Sequence, residues 1–276
     1  MKNGLNYLKL ILLCMISFPA FAQSGIETDI LEKGYFLYEL EKASWYSTDL
    51  LFEEHKELVD SIGSYLSYKP DDDKVITVFF LKENPDMIRL TIQFDGLPDA
   101  TPDKVTATLR NASAHEKDLF ELVDDAKRRV TENEDDLFTL YENTGFNFIP
   151  VIQDGKRSVY ILSGSKQNGT LYIGNDYLLT YNNRNKFKQA EKIHNSLIPF
   201  QFVGNSEAKK IQETSHSHVN SEYIDPTDIC TLLLYKDFIE WDQHYVISDK
   251  HVSIFDIKNE HLLIITRKAW ERIGKK

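Results

Sequence analysis

The chain has 276 residues, with 43 Asp and Glu against 32 Lys and Arg, and a formal net charge of -11 at pH 7. A surface that binds nucleic acid must neutralise phosphates with basic side chains, so this acidic balance argues against that class of partner. The two cysteines exclude a disulfide-framework protein. The composition, 42% hydrophobic and 27% charged, is that of a folded globular protein and names no activity.

The first 22 residues predict an export signal. Two lysines flank the start of an apolar run over 10–16, and Ala20-Phe21-Ala22 forms an A-x-A cleavage site. The run is shorter than the roughly 20 apolar residues that span a bilayer, and no later segment reaches that length. We therefore expect cleavage after Ala22, a periplasmic or secreted protein, and no transmembrane segment after cleavage. An uncleaved N-terminal anchor helix is the alternative.

Residues 23–105 predict an N-terminal α+β domain. Apolar residues recur at helical spacing over 30–40. Three strand patterns follow, separated by turn residues, and they indicate an antiparallel meander with a helix packed on one face. We place these strands at 63–68, 74–81 and 87–94, and a connector at 97–103.

Residues 106–276 predict a second α+β domain. Ser113 and Glu116 form a capping-box pattern before an amphipathic run, which predicts a helix over 114–141 with a break near 132–133. Asp154-Gly155 predicts a hairpin turn. Residues 185–194 are polar and predict a loop or a short helix. The remaining predicted elements are strands at 146–152, 158–162, 170–173, 177–181, 197–202, 215–219, 244–247, 252–255 and 262–265, and helices at 228–235 and 268–273. The order predicts an α+β fold with mostly antiparallel sheets.

One group of residues in this second half could carry chemistry. His216 and His218 lie two apart on a predicted strand, so both imidazoles would point to the same face and could reach one metal ion. Asp228 opens the following predicted helix. Two imidazoles and one carboxylate make a three-ligand zinc site with an open position for water. Glu142, before the strand at 146–152, is the best candidate for a general base.

This order of residues resembles the JAB/MPN metalloproteases, whose JAMM motif is Glu-x-x-Gly before a strand, His-x-His at a strand end and Ser-x-x-Asp opening a helix. The matching residues are Glu142 with Gly145, His216 with His218, and Asp228. The resemblance implies a JAB/MPN-like fold in the C-terminal half and zinc bound by the two histidines and the aspartate. It also implies water activated by Glu142 and hydrolysis of a peptide or isopeptide bond.

The motif departs from the family pattern in several respects, among them Val219 at the position of a usual proline. Asp225 stands at the position of the serine that would help to stabilise an oxyanion, and a carboxylate there would repel that charge unless it is protonated or turned away. The spacing from His218 to Asp225 is one residue shorter than the commonest family spacing. We therefore keep Asp225 as a candidate catalytic residue whose role differs from that of the serine.

Simpler interpretations of the same residues stay open. The two histidines could be polar positions on an exposed strand, and the two aspartates could be turn and N-cap residues. We expect surface or core-edge packing for His244, His251 and His261. Cys230 lies in a predicted apolar helix, so we expect its thiol to be buried and inert. The sequence thus favours a non-catalytic exported binding or envelope-associated module with an unknown protein or peptide ligand. The alternatives are a zinc hydrolase and a cysteine- or acid-based enzyme with an unrecognised site.

Overall fold

The computed structural model describes residues 25–71, 73–202 and 213–273, so the predicted signal sequence lies outside the described residues. Helices and mostly antiparallel sheets make up this part of the chain, which confirms the predicted α+β class. None of the described helices has an apolar stretch long enough to cross a membrane. The helices are α1 (Gly25–Glu54), α2 (Ala114–Glu132), α3 (Pro226–Tyr235), α4 (Arg267–Ile273) and a short 3-10 helix (Lys56–Ser61).

The N-terminal sheet is the predicted meander. Its first four strands pair antiparallel in chain order, and the fifth also pairs with the third. Every second side chain of Met87–Asp95 enters the core, and this alternation is the sequence pattern that predicts a strand. The strands are β1 (Ile62–Asp71), β2 (Lys74–Leu81), β3 (Met87–Asp95), β4 (Lys104–Thr106) and β5 (Arg110–Asn111).

Helix α2 begins where the capping box predicted and ends earlier than predicted. The Ser113 side chain accepts a hydrogen bond from the Glu116 backbone N–H, and the Glu116 carboxylate accepts one from the Ser113 N–H. At the other end, Asn133 adopts the left-handed conformation and its side chain bonds both backbone groups of Phe138. The predicted helical continuation to residue 141 is therefore wrong, because this local turn is an alternative to the helix ladder.

The second half forms three further sheets. Strands β6 and β7 make the predicted hairpin, with positive φ at Asp154 and Gly155 as a type I′ turn requires. The prediction for 185–194 is wrong, because residues 187–192 form an edge strand paired to β9. The sheet orders are β10-β9-β7-β6, β11-β8 and β12-β13-β14-β15, with strands β6 (Thr144–Gln153), β7 (Lys156–Ser165), β8 (Thr170–Gly174), β9 (Tyr177–Tyr181), β10 (Phe187–Lys192), β11 (Leu197–Gln201), β12 (Glu213–Ser217), β13 (Gln243–Ile247), β14 (His251–Asp256) and β15 (His261–Thr266).

The parallel pairing of β12 with β13 and the packing of α3 on α1 bring distant polar residues of this half together. Strand β12 pairs parallel with β13, whereas the other described strand pairs are antiparallel. Helix α3 follows β12 and packs on α1, and Cys230 within α3 is fully buried, as predicted. One large apolar cluster takes residues from α1, the N-terminal sheet and the C-terminal elements. The proposed division of the chain near residue 105 stays a prediction.

Candidate metal centre

The two histidines predicted to share a face meet at the end of β12. His216 lies within the strand, and His218 continues it by donating its backbone N–H to the Ile247 carbonyl at 3.0 Å. Their Nε2 atoms are 2.8 Å apart. Both residues are buried, at 8% and 7% exposure, so the interpretation as polar positions on an exposed strand is wrong.

Asp228 reaches the same point from the first turn of α3. Its Oδ2 accepts a hydrogen bond from the backbone N–H of Asp225, the N-cap residue, at 3.0 Å and lies 3.3 Å from His218 Nε2. Its Oδ1 lies 3.8 Å from His216 Nε2 and is buried without a hydrogen-bond partner. A buried carboxylate oxygen without a hydrogen-bond partner is costly, and a cation bound between Asp228 Oδ1 and the imidazoles would offset this cost.

His194 is a fourth member that the sequence did not reveal. It lies in the loop between β10 and β11, and its Nε2 is 3.1 Å from His218 Nε2 and 3.3 Å from Asp228 Oδ1. The residue is 6% exposed. It lies within the polar segment predicted as a loop or short helix. A single histidine in such a segment has no nearby partner at the spacing of a metal-binding motif. The pairing of β10 with β9 and of β11 with β8 holds this loop at the site.

The spacing of these four side chains fits a tetrahedral metal ion. Zinc bonds to histidine nitrogen and carboxylate oxygen at about 2.0–2.2 Å, which puts neighbouring ligand atoms about 3.4 Å apart at tetrahedral angles. The separations among the three Nε2 atoms and Asp228 Oδ1 include 2.8, 3.1, 3.3 and 3.8 Å, and one ligand atom from each of the four residues lies within 4.8 Å of the others. A central ion could therefore contact all four with small adjustments.

Each histidine turns its other ring nitrogen toward a fixed partner. His194 Nδ1 lies 3.2 Å from Asp176 Oδ2, and His218 Nδ1 lies 2.8 Å from the Tyr223 carbonyl. Carboxylate and carbonyl oxygens only accept hydrogen bonds, so these Nδ1 atoms carry protons when the rings are neutral. The Nε2 atoms then present lone pairs to one another. Such an arrangement is typical of metal-binding histidines, whose second nitrogen is held by an oxygen acceptor.

His216 is oriented by a longer relay. Its Nδ1 lies 2.8 Å from His244 Nε2, and His244 Nδ1 lies 2.8 Å from Thr214 Oγ1. His244 is completely buried, which corrects the prediction of surface or core-edge packing for this residue. Burial lowers the pKa of His244 to about 3 and that of His216 to about 4. Both rings are therefore neutral at neutral pH, the form in which imidazole binds metals.

His194 and Asp228 shift each other's pKa in a way that favours positive charge beside the Asp228 carboxylate. Burial opposes protonation of His194, but the carboxylates of Asp228 and Asp176 raise its pKa well above the ordinary value. Burial also opposes ionisation of Asp228, yet the imidazoles of His194 and His216 lower its pKa well below the ordinary range. A proton on His194 or a metal ion among the four side chains would supply this positive charge.

The two predicted catalytic residues differ in position. Asp225 Oδ2 lies beside the cluster, 3.4 Å from His218 Nδ1, and accepts a hydrogen bond from Ser221 at 3.0 Å. Burial and the nearby Asp228 raise the pKa of Asp225 to about 6. Glu142 is exposed in the turn before β6, and within the described residues it has no hydrogen bond or ion pair to the cluster. The structure thus brings His216, His218, Asp228 and Asp225 together and adds His194.

A small cavity of about 120 Å³ borders the histidine side of the cluster. His194, His216 and His218 line it, together with residues of the loop that follows β10. Three nitrogens and one oxygen at these separations can hold zinc or another divalent first-row transition metal. No protein-family model matches this chain, and no curated protein is significantly similar to it.

Proposed function

We propose that this protein is a non-catalytic zinc-binding module in which one ion is held by His194, His216, His218 and Asp228. The observation that carries the proposal is the convergence of three imidazole Nε2 atoms on the Asp228 carboxylate, whose Oδ1 is buried without a hydrogen-bond partner. Zinc suits this set because it accepts nitrogen and oxygen ligands in tetrahedral geometry without redox chemistry.

The fourth protein ligand favours binding over hydrolysis. A catalytic zinc site keeps a position open for water, whereas a structural site fills all four with side chains. Here His194 Nε2 occupies the space next to His218 Nε2 and Asp228 Oδ1 that a water would take in a three-ligand site. Glu142, which would activate that water, is exposed in a turn.

The ion would tie together three separate parts of the chain. These are the loop between β10 and β11, the end of β12, and the first turn of α3. None of the three is a neighbour of the others in one sheet, since β11 pairs with β8, β10 with β9, and β12 with β13. Metal binding at such a junction contributes directly to the free energy of folding.

Metal analysis of the purified protein tests the proposal. We expect one zinc per chain by inductively coupled plasma mass spectrometry after dialysis against a weak chelator. The variants Asp228→Asn and His194→Ala should lose it, and the exposed His261→Ala is the matched control that should retain it. A metal-free wild-type protein that also fails to take up added zinc would contradict the proposal, as would equal loss in the control.

A zinc hydrolase with a JAMM-like site is the second candidate. The cavity beside His194, His216 and His218 favours it, because a small group could approach the ion from that side. In this alternative Glu142 and Asp225 would be catalytic. The zinc-loaded protein would then cleave fluorogenic peptide or isopeptide substrates, and Glu142→Gln would abolish turnover while keeping the metal. The non-catalytic proposal expects no turnover in either protein.

We also propose that the protein is exported and that it binds a protein or peptide ligand. The A-x-A site ending at Ala22 supports cleavage on the way out of the cytoplasm. Determination of the N-terminus of the protein recovered from cells tests this step, and we expect it to begin at Gln23. A mature protein that retained Met1 and the apolar run would contradict it.

A further inference from the structure

A second pocket, apart from the metal centre, lies between α1, β1, β6, β7 and α3. Its volume is about 260 Å³, and its lining includes Glu41, three aromatic side chains, and the small or polar residues of β6 and β7. Glu41 is only 8% exposed. The pocket shares no lining residue with the cavity beside the zinc ligands.

Glu41 is short of partners for a buried acid. Within the described residues it accepts one hydrogen bond, from Asn147 Nδ2 at 2.9 Å, and it forms no ion pair. A buried carboxylate without a positive neighbour is costly. The basic residue in the lining, Lys166, is exposed at the rim, so the floor of the pocket presents an acid that no cation of the described chain neutralises.

Three aromatic side chains line the same pocket as this acid. Trp45 follows Glu41 by one helical turn on α1, Tyr65 comes from β1 and Tyr235 from α3. The rings of Trp45 and Tyr235 contact each other with centroids 5.5 Å apart. Trp45 and Tyr65 are each 39% exposed, which is unusual for aromatic side chains whose role is core packing.

We infer that this pocket binds an organic ammonium group, with Glu41 as the counter-charge and Trp45, Tyr65 and Tyr235 as the aromatic wall. An ammonium group is attracted both to a carboxylate and to the electron-rich faces of aromatic rings, and both are present here. A metal ion would need more oxygen ligands than one carboxylate, and an anion would be repelled by it. The volume suits the head of a small amine or a quaternary ammonium group.

The protonation of Glu41 gives this inference a distinctive readout. Burial raises the pKa of Glu41 to about 7. The titratable groups near it are Tyr65, Tyr235 and the buried Cys230, whose pKa values are raised above the ordinary ones, with Lys166 at the rim. An arriving cation stabilises the carboxylate, so binding near neutral pH should release part of a proton to the buffer.

Calorimetric titration of the full-length mature protein tests the inference with three named probes. These are choline, n-butylammonium and the neutral isostere of choline, 3,3-dimethylbutan-1-ol. We expect at least one ammonium probe to bind at least tenfold more tightly than the neutral isostere, with an enthalpy that depends on the ionisation enthalpy of the buffer. Preference for choline or for butylammonium identifies a quaternary or a primary ammonium ligand, and both support the inference.

Variants separate this pocket from general effects on the fold. Glu41→Gln keeps the shape of the side chain and should weaken ammonium binding at least tenfold and abolish proton release. Trp45→Ala, at a partly exposed position, should weaken it several-fold, and Glu53→Gln, exposed on the same helix, should leave it unchanged. Zinc content should be unaffected in all three. No binding of either ammonium probe, equal binding of the neutral isostere, or unchanged binding in Glu41→Gln would overturn the inference.

Discussion

Gly34 of α1 lies directly against Ile229 of α3. A Cβ atom added at Gly34 would stand 2.5 Å from Ile229 Cγ2 and 3.3 Å from the Pro226 carbonyl oxygen. The separation of 2.5 Å is too short for a Cβ atom, so a larger residue at Gly34 would require the two helices to shift. The glycine thus permits the approach of the two helices, and this approach fixes the N-terminal turn of α3 that carries Asp228.

Gly34→Ala should therefore destabilise the protein and weaken zinc binding together. Overpacking a core contact costs about 1–3 kcal/mol, and the better helix propensity of alanine offsets about 1 kcal/mol of this. Denaturant unfolding and competitive zinc titration would measure the two effects. The matched control is Gly25→Ala at the start of the same helix, where the added Cβ meets nothing within 4 Å. Equal behaviour of the two variants would contradict the role given to Gly34.

Asp176→Asn should weaken zinc binding while leaving the fold intact. Asp176 Oδ1 accepts a hydrogen bond from the Ser163 N–H at 3.2 Å, and an asparagine oxygen can replace it. The change removes the negative charge beside His194 Nδ1, and such partners of metal-binding histidines are typically worth 10–100-fold in affinity. Asp154→Asn, in the exposed hairpin turn, serves as the control. Unchanged affinity in Asp176→Asn would mean that His194 is not a ligand.

Removal of zinc should lower the melting temperature of the wild-type protein. A ligand that binds only the folded state adds about 4 kcal/mol when its free concentration is a thousandfold above Kd. Thermal unfolding with zinc and with excess chelator would measure the difference. Asp228→Asn should melt at the same temperature in both conditions. A zinc-dependent shift that persists in this variant would place the ion elsewhere.

The features that sequence predicts here are those whose signals are local. The sequence predicts the capping box of Ser113 and Glu116 and the turn at Asp154-Gly155, because all their partners lie within a few residues. The His216 and His218 pair was readable because strand geometry alone puts i and i+2 on one face. None of these required knowledge of the tertiary structure.

The remainder of the metal centre could not be read in this way. His194 lies next to β11, which pairs with β8, and His244 lies in β13, which pairs with β12, and no short sequence pattern encodes these pairings. The strand over 187–192 carries no strand pattern because it lies at a sheet edge, where mostly polar residues are tolerated. The position of Glu142 before a strand predicts a catalytic role, but α2 ends at Glu132 and Glu142 lies in an exposed turn.

Glu41 should make the stability of the protein fall as pH rises toward neutrality. Burial raises its pKa from 4.5 to about 7, so between these values the folded state holds a proton that the unfolded state has lost. The contribution of Glu41 to the free energy of unfolding therefore decreases by about 3 kcal/mol between about pH 4.5 and about pH 7. It is constant above that pH.

Glu41→Gln tests the sign of this effect, because glutamine cannot ionise and can still accept the hydrogen bond from Asn147. The variant should match the wild-type protein near pH 4.5 and exceed its stability by up to about 3 kcal/mol at pH 8. Denaturant unfolding across this pH range would measure the difference, in which contributions from other groups cancel. The exposed Glu53→Gln should show a difference near zero at every pH. Parallel curves for Glu41→Gln and wild type would mean that Glu41 is ionised at little cost within the folded protein.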